Sequence, residues 1–589
     1  MNLFSEFSAR APNRVFASVV LGGLSGASYS LLIPLVLSVI SDEDARFERV
    51  VEHAPHFLGL EIAHAPFAAI FALTCLFILV ARSLSQIMLT RLSIDVASDL
   101  RARMYERIVR APLPALERIG EARLIAALTT DIPRIVNGAR VMPDLMIDTI
   151  VTLGMLGFLL VLNVDVFFFV IACIFFGILT YQIPMLLAQR RFVSARRAYD
   201  QLQQSMNGLI HGIKELKLSD AKQRDFFESV LMSHERNVCG GEKAGHTLFR
   251  AAGTYGDLLS FFVIGCIMFV FVNYRLISNA ELTGVVMALL YLTGPVAMIL
   301  ANLPLLSFAR VSLQRFSALS AEIPEEEVGV STTAMPIRHG IRFEGVVYRH
   351  VGEANERHFQ VGPIDLELRL GEITFIVGGN GSGKSTLSKL MTLHYRASDG
   401  RIMVDGAALA ESGVGALRQS ICAIYSDYYL FDRVLGRAGE TEAVAPLVEH
   451  YLRMLGLEGK VQYREGRFST LALSDGQRRR LALLAAILDD CTLYLFDEWA
   501  ADQDPEFKAV FYREVIPALK RRNKAIVVIS HDDRYFDVAD QLVTLEEGAI
   551  ARIDRAKPAG TASPATGQGF SLCRVESESP RQSAASSTE

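Results

Sequence analysis

The chain has 589 residues, 51% of them hydrophobic, a mean hydropathy of +0.29 and a formal net charge of -5. That length exceeds what one core usually holds, and so apolar an average is typical of a protein in contact with membrane lipids. The charge gives no reason to expect nucleic acid as a partner. The seven scattered cysteines, without a C-x-x-C pair, argue against a disulfide framework or a zinc site and fit a reduced interior.

Six long apolar runs occupy the first half of the chain and are separated by charged stretches. Each run can supply the roughly 20 residues that a helix needs to cross a hydrocarbon core. The predicted membrane helices are residues 15–40, 66–88, 145–164, 166–186, 255–274 and 283–306. Buried helices of a large soluble domain are the alternative, but such a domain does not easily explain six runs of this length.

The charges between the runs predict the orientation of the membrane domain. Arg and Lys are concentrated in the second and fourth connections, for example at Arg103 and Arg191, whereas the first connection is acidic, for example at Glu43 and Glu48. The positive-inside rule therefore places both termini and both long connections in the cytoplasm, with a chain that crosses the membrane several times in contact with its lipids. Helical periodicity in the long connections predicts that the membrane helices continue as amphipathic stalks.

The composition changes after a joint rich in Pro, Thr and Glu. The predicted domains are a membrane domain at 1–325, a linker at 326–340, a second domain at 341–555 and a polar tail at 556–589. In the second domain short apolar runs alternate with helical patterns, and the candidates for buried strands are Ile373–Val377, 493–496 and Ala525–Ile529. This alternation predicts an α/β domain with a largely parallel sheet. The tail is too polar to bury a core.

A glycine-rich loop follows the first of these strands and precedes a helical pattern. It matches the P-loop pattern G-x-x-x-x-G-K-[ST] and consists of Gly378, Gly379, Asn380, Gly381, Ser382, Gly383, Lys384, Ser385 and Thr386. Its backbone N–H groups can surround nucleotide phosphates at the positive end of the next helix. Lys384 would neutralise phosphate charge, and the Ser385 hydroxyl would bind Mg²⁺. By itself the loop predicts only that the domain binds a nucleoside triphosphate.

Residues 493–498 read Leu-Tyr-Leu-Phe-Asp-Glu. An apolar strand that ends in Asp can deliver a carboxylate to the Mg²⁺ shell, which is the role predicted for Asp497. The adjoining Glu498 is placed to act as the general base that polarises the attacking water. His531 follows the third candidate strand and is predicted to approach the γ-phosphate; a lone His is usually incidental, but this position favours the catalytic role.

A short segment before the helical pattern at residues 478–487 decides the class of nucleotide domain. It reads Leu473, Ser474, Asp475, Gly476 and Gln477. This segment resembles the L-S-x-G-Q signature of ABC ATPases, and with the P-loop the resemblance covers the whole second half. It implies ATP and Mg²⁺ as cofactors and an exporter-type membrane domain of six helices, followed by an α/β P-loop ATPase domain.

The resemblance also implies an assembly, because in ABC ATPases the signature of one subunit faces the γ-phosphate held by the other. A chain with a single P-loop and a single signature is therefore interpreted as a half-transporter that acts as a homodimer.

Further positions are assigned by the same resemblance. Asp504 matches the D-loop Asp of the superfamily. Ser426 stands where the Q-loop normally has a Gln, so coupling there is assigned to Asp427 or to water. The aromatic residue that stacks on adenine is either Tyr348 or His350. A looser match at residues 113–131 resembles the segment through which exporter membrane helices couple to the ATPase domain.

A finer resemblance concerns the substrate. The P-loop, with residues 497–505 and 530–533, is similar to the cyclic-peptide exporter family, which includes exporters of pyoverdine-type siderophore precursors, syringomycin-type lipopeptides and a microcin. Trp499 and the two alanines after it replace the Pro-Thr-Ser of multidrug exporters. The resemblance implies ATP-driven export of a cyclic or modified peptide. A siderophore importer of exporter fold and a broad lipid or drug flippase are the alternatives within transport, and an ATP-regulated membrane sensor is the alternative outside it.

Four polar residues within the apolar runs are the sequence's only indication of a substrate cavity. Arg82, Asp148 and Asp257 fall near the cytoplasmic ends of their runs, and Asn302 lies in the last run. Ionisable groups at such depth normally pair or face water. They could line an inward-open cavity for a polar peptide, or they could form structural pairs, and Arg82 could snorkel.

Overall fold

The computed structural model describes residues 10–40, 56–57, 60–61, 65–274, 277–326, 333–350, 359–436 and 441–555. These residues form two compact units. One falls within Met1–Arg107 and Glu121–Glu322, and the other within Ile108–Gly120 and Ile323–Glu589. The domain limits drawn from the sequence placed residues 108–120 in the membrane domain, whereas the structure groups them with the second unit. The predicted tail, Glu43 and Glu48 lie outside the described residues.

Among the described residues of the first half, the regular structure is helical apart from one short antiparallel pair, β1 (His56–Phe57) with β2 (Leu60–Glu61). The helices are α1 (Pro12–Ile40), α2 (Ala65–Arg110), α3 (Leu113–Ile119), α4 (Glu121–Ala126), α5 (Ile132–Arg140), α6 (Met142–Leu162), α7 (Val164–His211), α8 (Ile213–Lys217), α9 (Asp220–Asp225), α10 (Met232–Phe269) and α11 (Asn279–Glu322). Within the described residues, six helical stretches are long and apolar enough to cross a membrane, one for each predicted run.

The long helices extend well beyond the apolar runs. α2, α7 and α11 contain 46, 48 and 44 residues, about twice the number needed to cross the hydrocarbon core, so these helices continue past the apolar runs. The third run was predicted to end at Val164, but α6 ends at Leu162. Asn163 is extended, and its side chain accepts a hydrogen bond from the Val166 backbone N–H at 3.1 Å, so it caps α7. Val164 therefore begins the fourth membrane helix.

The second unit contains the remaining elements. Its strands are β3 (Gly340–Arg349), β4 (Gln360–Arg369), β5 (Ile373–Val377), β6 (Asp399–Val404), β7 (Ala407–Ala408), β8 (Ile421–Ile424), β9 (Tyr463–Arg464), β10 (Arg467–Phe468), β11 (Leu493–Asp497), β12 (Ala525–Ile529), β13 (Gln541–Glu546) and β14 (Ala549–Arg555). Its helices after α3 are α12 (Lys384–Met391), α13 (Val414–Arg418), α14 (Thr441–Met454), α15 (Asp475–Asp489), α16 (Pro505–Val510) and α17 (Ile516–Arg521).

A six-stranded sheet positions the candidate site. Its order is β14-β13-β5-β12-β11-β8, and every neighbouring pair is parallel except β13 with β14. The three strands predicted from the sequence are central in it, and their buried apolar side chains explain why their sequences lack alternation. Because β5, β12 and β11 are parallel neighbours, the residues that follow all three strands emerge at the same edge.

Two features of this unit were not anticipated. The unit contains a second sheet, which is antiparallel and has the strand order β4-β3-β6-β7. A disulfide joins Cys422 to Cys491, with 5.7 Å between their Cα atoms. The cysteine spacing did not indicate this proximity, because the neighbouring strands β8 and β11 bring together residues that are 69 positions apart in sequence.

Candidate functional site

The P-loop connects β5 to α12 and wraps around the Lys384 side chain. The lysine Nζ donates hydrogen bonds to the carbonyl oxygens of Gly378 and Gly379, at 3.0 and 2.9 Å. Gly383 has a φ of 98°, a left-handed conformation that disfavours any side chain. The Ser382 hydroxyl is buried without a hydrogen-bond partner among the described residues. A phosphate oxygen would satisfy it, so the loop fits the predicted phosphates.

Asp497 ends β11 and is buried, with 4% of its surface exposed. Burial and the neighbouring Glu498 carboxylate raise the pKa of its side chain to about 6, although the Lys384 ammonium opposes the shift. A carboxylate held at such a position is stabilised by a cation. Mg²⁺ prefers oxygen ligands, and the exposed Ser385 hydroxyl at the start of α12 is of the same kind. The two residues predicted to hold Mg²⁺ therefore fit it chemically.

Glu498, the predicted general base, adopts an uncommon backbone conformation for a residue with a side chain, with a φ of 51°. Its Oε1 lies 3.2 Å from the Nε2 of His531, so the structure brings together the two residues predicted to be catalytic. They line a cavity of about 290 Å³ with Lys508, Ser530 and Asp532. Strain of this kind often marks functional positions.

Arg479 and Trp499 hold the backbone of Glu498 in place. The Arg479 guanidinium donates to the Glu498 carbonyl oxygen, and the indole N–H of Trp499 donates to the Arg479 carbonyl oxygen at 2.9 Å. Trp499 is 1% exposed, and its ring stacks on that of Phe511 with 4.1 Å between centroids. The sequence marked Trp499 only as a departure from a family pattern. Its indole hydrogen bond to Arg479 connects the catalytic segment to α15.

Replacement of Trp499 by Ala should destabilise the second unit by about 3–5 kcal/mol, because a large buried ring and its hydrogen bond are both lost. In the detergent-solubilised chain, the midpoint temperature for loss of nucleotide binding should fall by about 10 °C. Trp499→Phe is the matched control, and it should cost less because an aromatic ring remains against Phe511. An Ala variant as heat-resistant as the wild type would show that this packing contributes little.

The signature segment forms the start of α15. The Ser474 hydroxyl accepts from the Gln477 backbone N–H, and the Gln477 side chain accepts from the Ser474 N–H, so the two residues form a capping box. A Cβ at Gly476 would lie 2.8 Å from the carbonyl oxygen of Asp502. Asp504 caps α16 and pairs with Arg480. The signature and the D-loop are therefore in direct contact, and Gly476 permits that contact.

Comparison with known proteins identifies the family. A family model described as ABC transporter matches residues 361–501, and one described as ABC transporter transmembrane region matches residues 15–223. The ATP-binding protein SyrD of Pseudomonas syringae pv. syringae is 33% identical over 468 residues, which are 78% of this chain and 83% of SyrD. The chain belongs to the ABC transporter family.

Two further comparisons describe this ABC transporter. An ATP-dependent lipid A-core flippase of Ralstonia nicotianae is 27% identical over 489 residues, 78% of this chain and 79% of the flippase. A bacterial Atm1-family ABC exporter with ATP bound has the same fold, with a TM-score of 0.69 at 18% identity, covering 93% of this chain and 96% of that one. The predicted family, fold and ATPase activity are confirmed: the chain is an exporter-type half-transporter that couples ATP hydrolysis to transport, with a cytoplasmic ATPase domain.

The two candidates for adenine stacking, Tyr348 and His350, have different surroundings in this transporter. Tyr348 is buried, and its ring stacks on Tyr395 with 4.5 Å between centroids. His350 remains partly exposed, and its Nε2 lies 3.1 Å from the Thr386 hydroxyl of the P-loop. Burial lowers the pKa of His350, which favours the neutral ring. Phe359, an exposed residue that the sequence did not suggest, has its ring 6.2 Å from that of His350. These positions favour His350 and Phe359 as the adenine contacts.

The Q-loop region follows β8. Ser426 and Asp427 are both exposed there, and the negative charge of Asp427 acts on Asp497. The preceding Tyr425 donates or accepts a hydrogen bond at 2.6 Å with the Thr392 hydroxyl. The charge of Asp427 thus helps to raise the pKa of Asp497, the predicted magnesium ligand.

The short helix α3 packs within the second unit and contacts α12, the helix that follows the P-loop. Glu117 on α3 pairs with Lys389 at 2.6 Å, and its other oxygen accepts a hydrogen bond from the Tyr395 hydroxyl at 2.6 Å. Lys389 lies on the helix that follows the P-loop, and Tyr395 stacks on Tyr348. The segment that resembled a coupling element therefore contacts Lys389, on the helix that follows the P-loop, and Tyr395, whose ring touches a candidate for adenine stacking.

The polar residues of the membrane domain are not gathered in one place. Arg82 and Asp148 line a cavity of about 330 Å³. Asn302 is partly buried and does not line it. The side chain of Asp257 lies outside the described residues. An apolar cavity of about 250 Å³ lies between α7, α10 and α11, with small residues such as Gly177 and Gly253 in its wall.

Proposed function

We propose that the transporter exports a cyclic or otherwise modified peptide from the cytoplasm across the inner membrane. The observation that carries this proposal is the 33% identity to SyrD, which extends over 83% of that protein. The segment from Asp497 to Asp504, with its Trp499, supports it through the resemblance to cyclic-peptide exporters. Siderophore precursors, lipopeptides and microcins are the substrate types that this resemblance implies.

The transport cycle proposed for the chain requires two copies. Each chain has one P-loop and one signature segment, so a twofold homodimer supplies two complete ATP sites and twelve membrane helices. Ser385 and Asp497 would hold Mg²⁺, which would neutralise charge on the phosphates. ATP binding would close the two ATPase domains and turn the cavity outward, and hydrolysis with Glu498 as base would reset them.

A broad lipid flippase is the second candidate. The Ralstonia nicotianae relative is named a lipid A-core flippase, and the apolar cavity between α7, α10 and α11 could hold a hydrocarbon chain. At about 250 Å³ it exceeds a cavity of about 150 Å³ that can bind benzene. An acyl-tailed peptide would also fill such a cavity, so the cavity fits both candidates.

Transport into inside-out vesicles tests the proposal. Purified transporter reconstituted in vesicles should accumulate a radiolabelled, N-acylated cyclic peptide when Mg·ATP is added outside, where the ATPase domain of inverted molecules lies. Glu498→Gln vesicles provide the background, because they should bind ATP without turnover.

Three outcomes contradict peptide export and separate the alternatives. ATP-driven movement of a labelled lipid without movement of peptide would support the flippase. Movement out of inside-out vesicles would support an importer. ATP hydrolysis that no peptide or lipid stimulates, with no transport, would support a sensor.

A further inference from the structure

Four membrane helices of the first unit line a polar cavity. Tyr29 of α1, Arg82 of α2, Asp148 of α6 and Tyr291 of α11 line it, and its volume is about 330 Å³. The rings of Tyr29 and Tyr291 are 6.3 Å apart and nearly parallel. Asp148 is 14 residues before the end of α6 at Leu162, which is roughly 20 Å along the helix. The cavity therefore lies away from the outer end of the membrane domain, toward the cytoplasmic ends of the apolar runs.

The charges around this cavity do not balance. Arg82 is the cation, and it lies 3.8 Å from Asp144, which also accepts a hydrogen bond from Gln86 at 2.5 Å. The Arg82 charge acts on Asp148 as well. One guanidinium thus faces two carboxylates, and these three side chains together carry one net negative charge when both acids are ionised.

Asp148 carries the uncompensated part of that charge. Its side chain is 7% exposed, and its Oδ2 has no hydrogen-bond partner among the described residues. Burying an unpaired carboxylate in a membrane domain costs several kcal/mol. A hydrogen-bond donor on the cargo would pair with this carboxylate when the cargo binds, and would remove that cost.

We propose that Asp148 is the subsite for a cationic nitrogen of the cargo, an ammonium or a guanidinium group. The inference rests on the proposed export of a peptide and narrows its substrate class to peptides with a basic side chain. The nitrogen would donate to Asp148 Oδ2, and the ring of Tyr291, which also lines the cavity, would add a cation–π attraction. An anionic lipid phosphate would meet the net negative charge of the cavity, so this subsite opposes such a headgroup.

Two matched probes test the subsite. One is an N-acylated, C-amidated peptide that contains lysines. The other is the same peptide with every lysine acetylated, which removes the positive charges and adds a small neutral acetyl group to each lysine. The full-length transporter is placed in nanodiscs of zwitterionic phosphatidylcholine, which prevents the cationic probe from concentrating on an anionic surface. The measurement is the probe concentration that gives half-maximal stimulation of ATP hydrolysis.

For the wild type, the acetylated probe should require at least about tenfold more peptide than the lysine probe, because a charge-assisted hydrogen bond is lost. Asp148→Asn should bring this ratio close to one, and Asp148→Glu should largely retain it. Asp165→Asn, which removes an acid outside the cavity from the first turn of α7, should keep the wild-type ratio.

The possible failures are distinguishable. A wild type that responds equally to both probes, or an Asp148→Asn variant that keeps the wild-type ratio, overturns the subsite and leaves peptide export standing. The wild-type ratio decides the question even where a variant does not fold. A wild type that neither probe stimulates, and that moves neither probe into inside-out vesicles, contradicts peptide export itself.

Discussion

Glu498→Gln should lower steady-state ATP hydrolysis by about a hundredfold or more, while the protein still binds ATP. General-base catalysis contributes about 10²–10⁴-fold to rates of this kind, and an amide cannot accept the proton of the attacking water. Binding should persist, because the phosphates are held by the P-loop and Lys384, which the substitution does not touch. Hydrolysis is measured as phosphate release by the reconstituted protein, and binding with a labelled nucleotide.

Glu506→Gln is the matched control for this prediction. Glu506 is an exposed glutamate in the first turn of α16, only eight positions further along the chain. Its replacement should leave both hydrolysis and binding near the wild-type values. If Glu498→Gln also turns over ATP at close to the wild-type rate, Glu498 is not the base, and another group must orient the water.

A mixed dimer of a Lys384→Ala chain with a Ser474→Arg chain should hydrolyse ATP, although each variant alone should not. If each ATP site combines the P-loop of one chain with the signature of the other, this pairing leaves one site intact and concentrates both defects in the other site. Lys384→Ala removes the ammonium from the P-loop, and Ser474→Arg removes the cap of α15 and places a bulky cation there. Tandem affinity tags on the two chains allow the mixed dimer to be purified and assayed.

The control pairing carries both substitutions on one chain and none on its partner. Composite sites predict that this dimer is inactive, because each site then contains one damaged half. Sites formed within single chains predict the opposite result, since the unmodified chain would keep a whole site. Equal activity in the two pairings, or normal activity in either single-variant homodimer, would contradict the composite arrangement.

Contiguous motifs were predictable from the sequence, because a few adjacent residues determine their local structure. The P-loop, the signature cap at Ser474 and the Asp497–Glu498 pair are all of this kind. The partners that hold them were not predictable, because they depend on packing between distant segments. Arg479 reaches the Glu498 carbonyl from α15, and Glu117 contacts Lys389 across 272 positions of the chain. Glu117 belonged to a segment recognised only loosely, and no local pattern indicated its partners.

The membrane domain shows the same limit. Hydropathy predicted six helices, since the bilayer imposes length and composition on each one independently. The functions of the polar residues depend on which helices face one another. Arg82 and Asp148 share a cavity, whereas Asn302, equally polar in the sequence, does not line it. The stacking of Tyr348 on Tyr395, which bears on the alternative between Tyr348 and His350 at the adenine, likewise joins residues far apart in the sequence.

The position of Trp499 gives the transporter a built-in optical reporter. It is the single tryptophan of the chain, so intrinsic indole fluorescence comes from one known place, directly after Glu498. The ring is shielded from water and stacked on Phe511. Its emission wavelength and its quenching by iodide therefore report whether the ring beside Glu498 stays buried. Spectral changes at each step of the ATP cycle can thus be followed without attaching a dye.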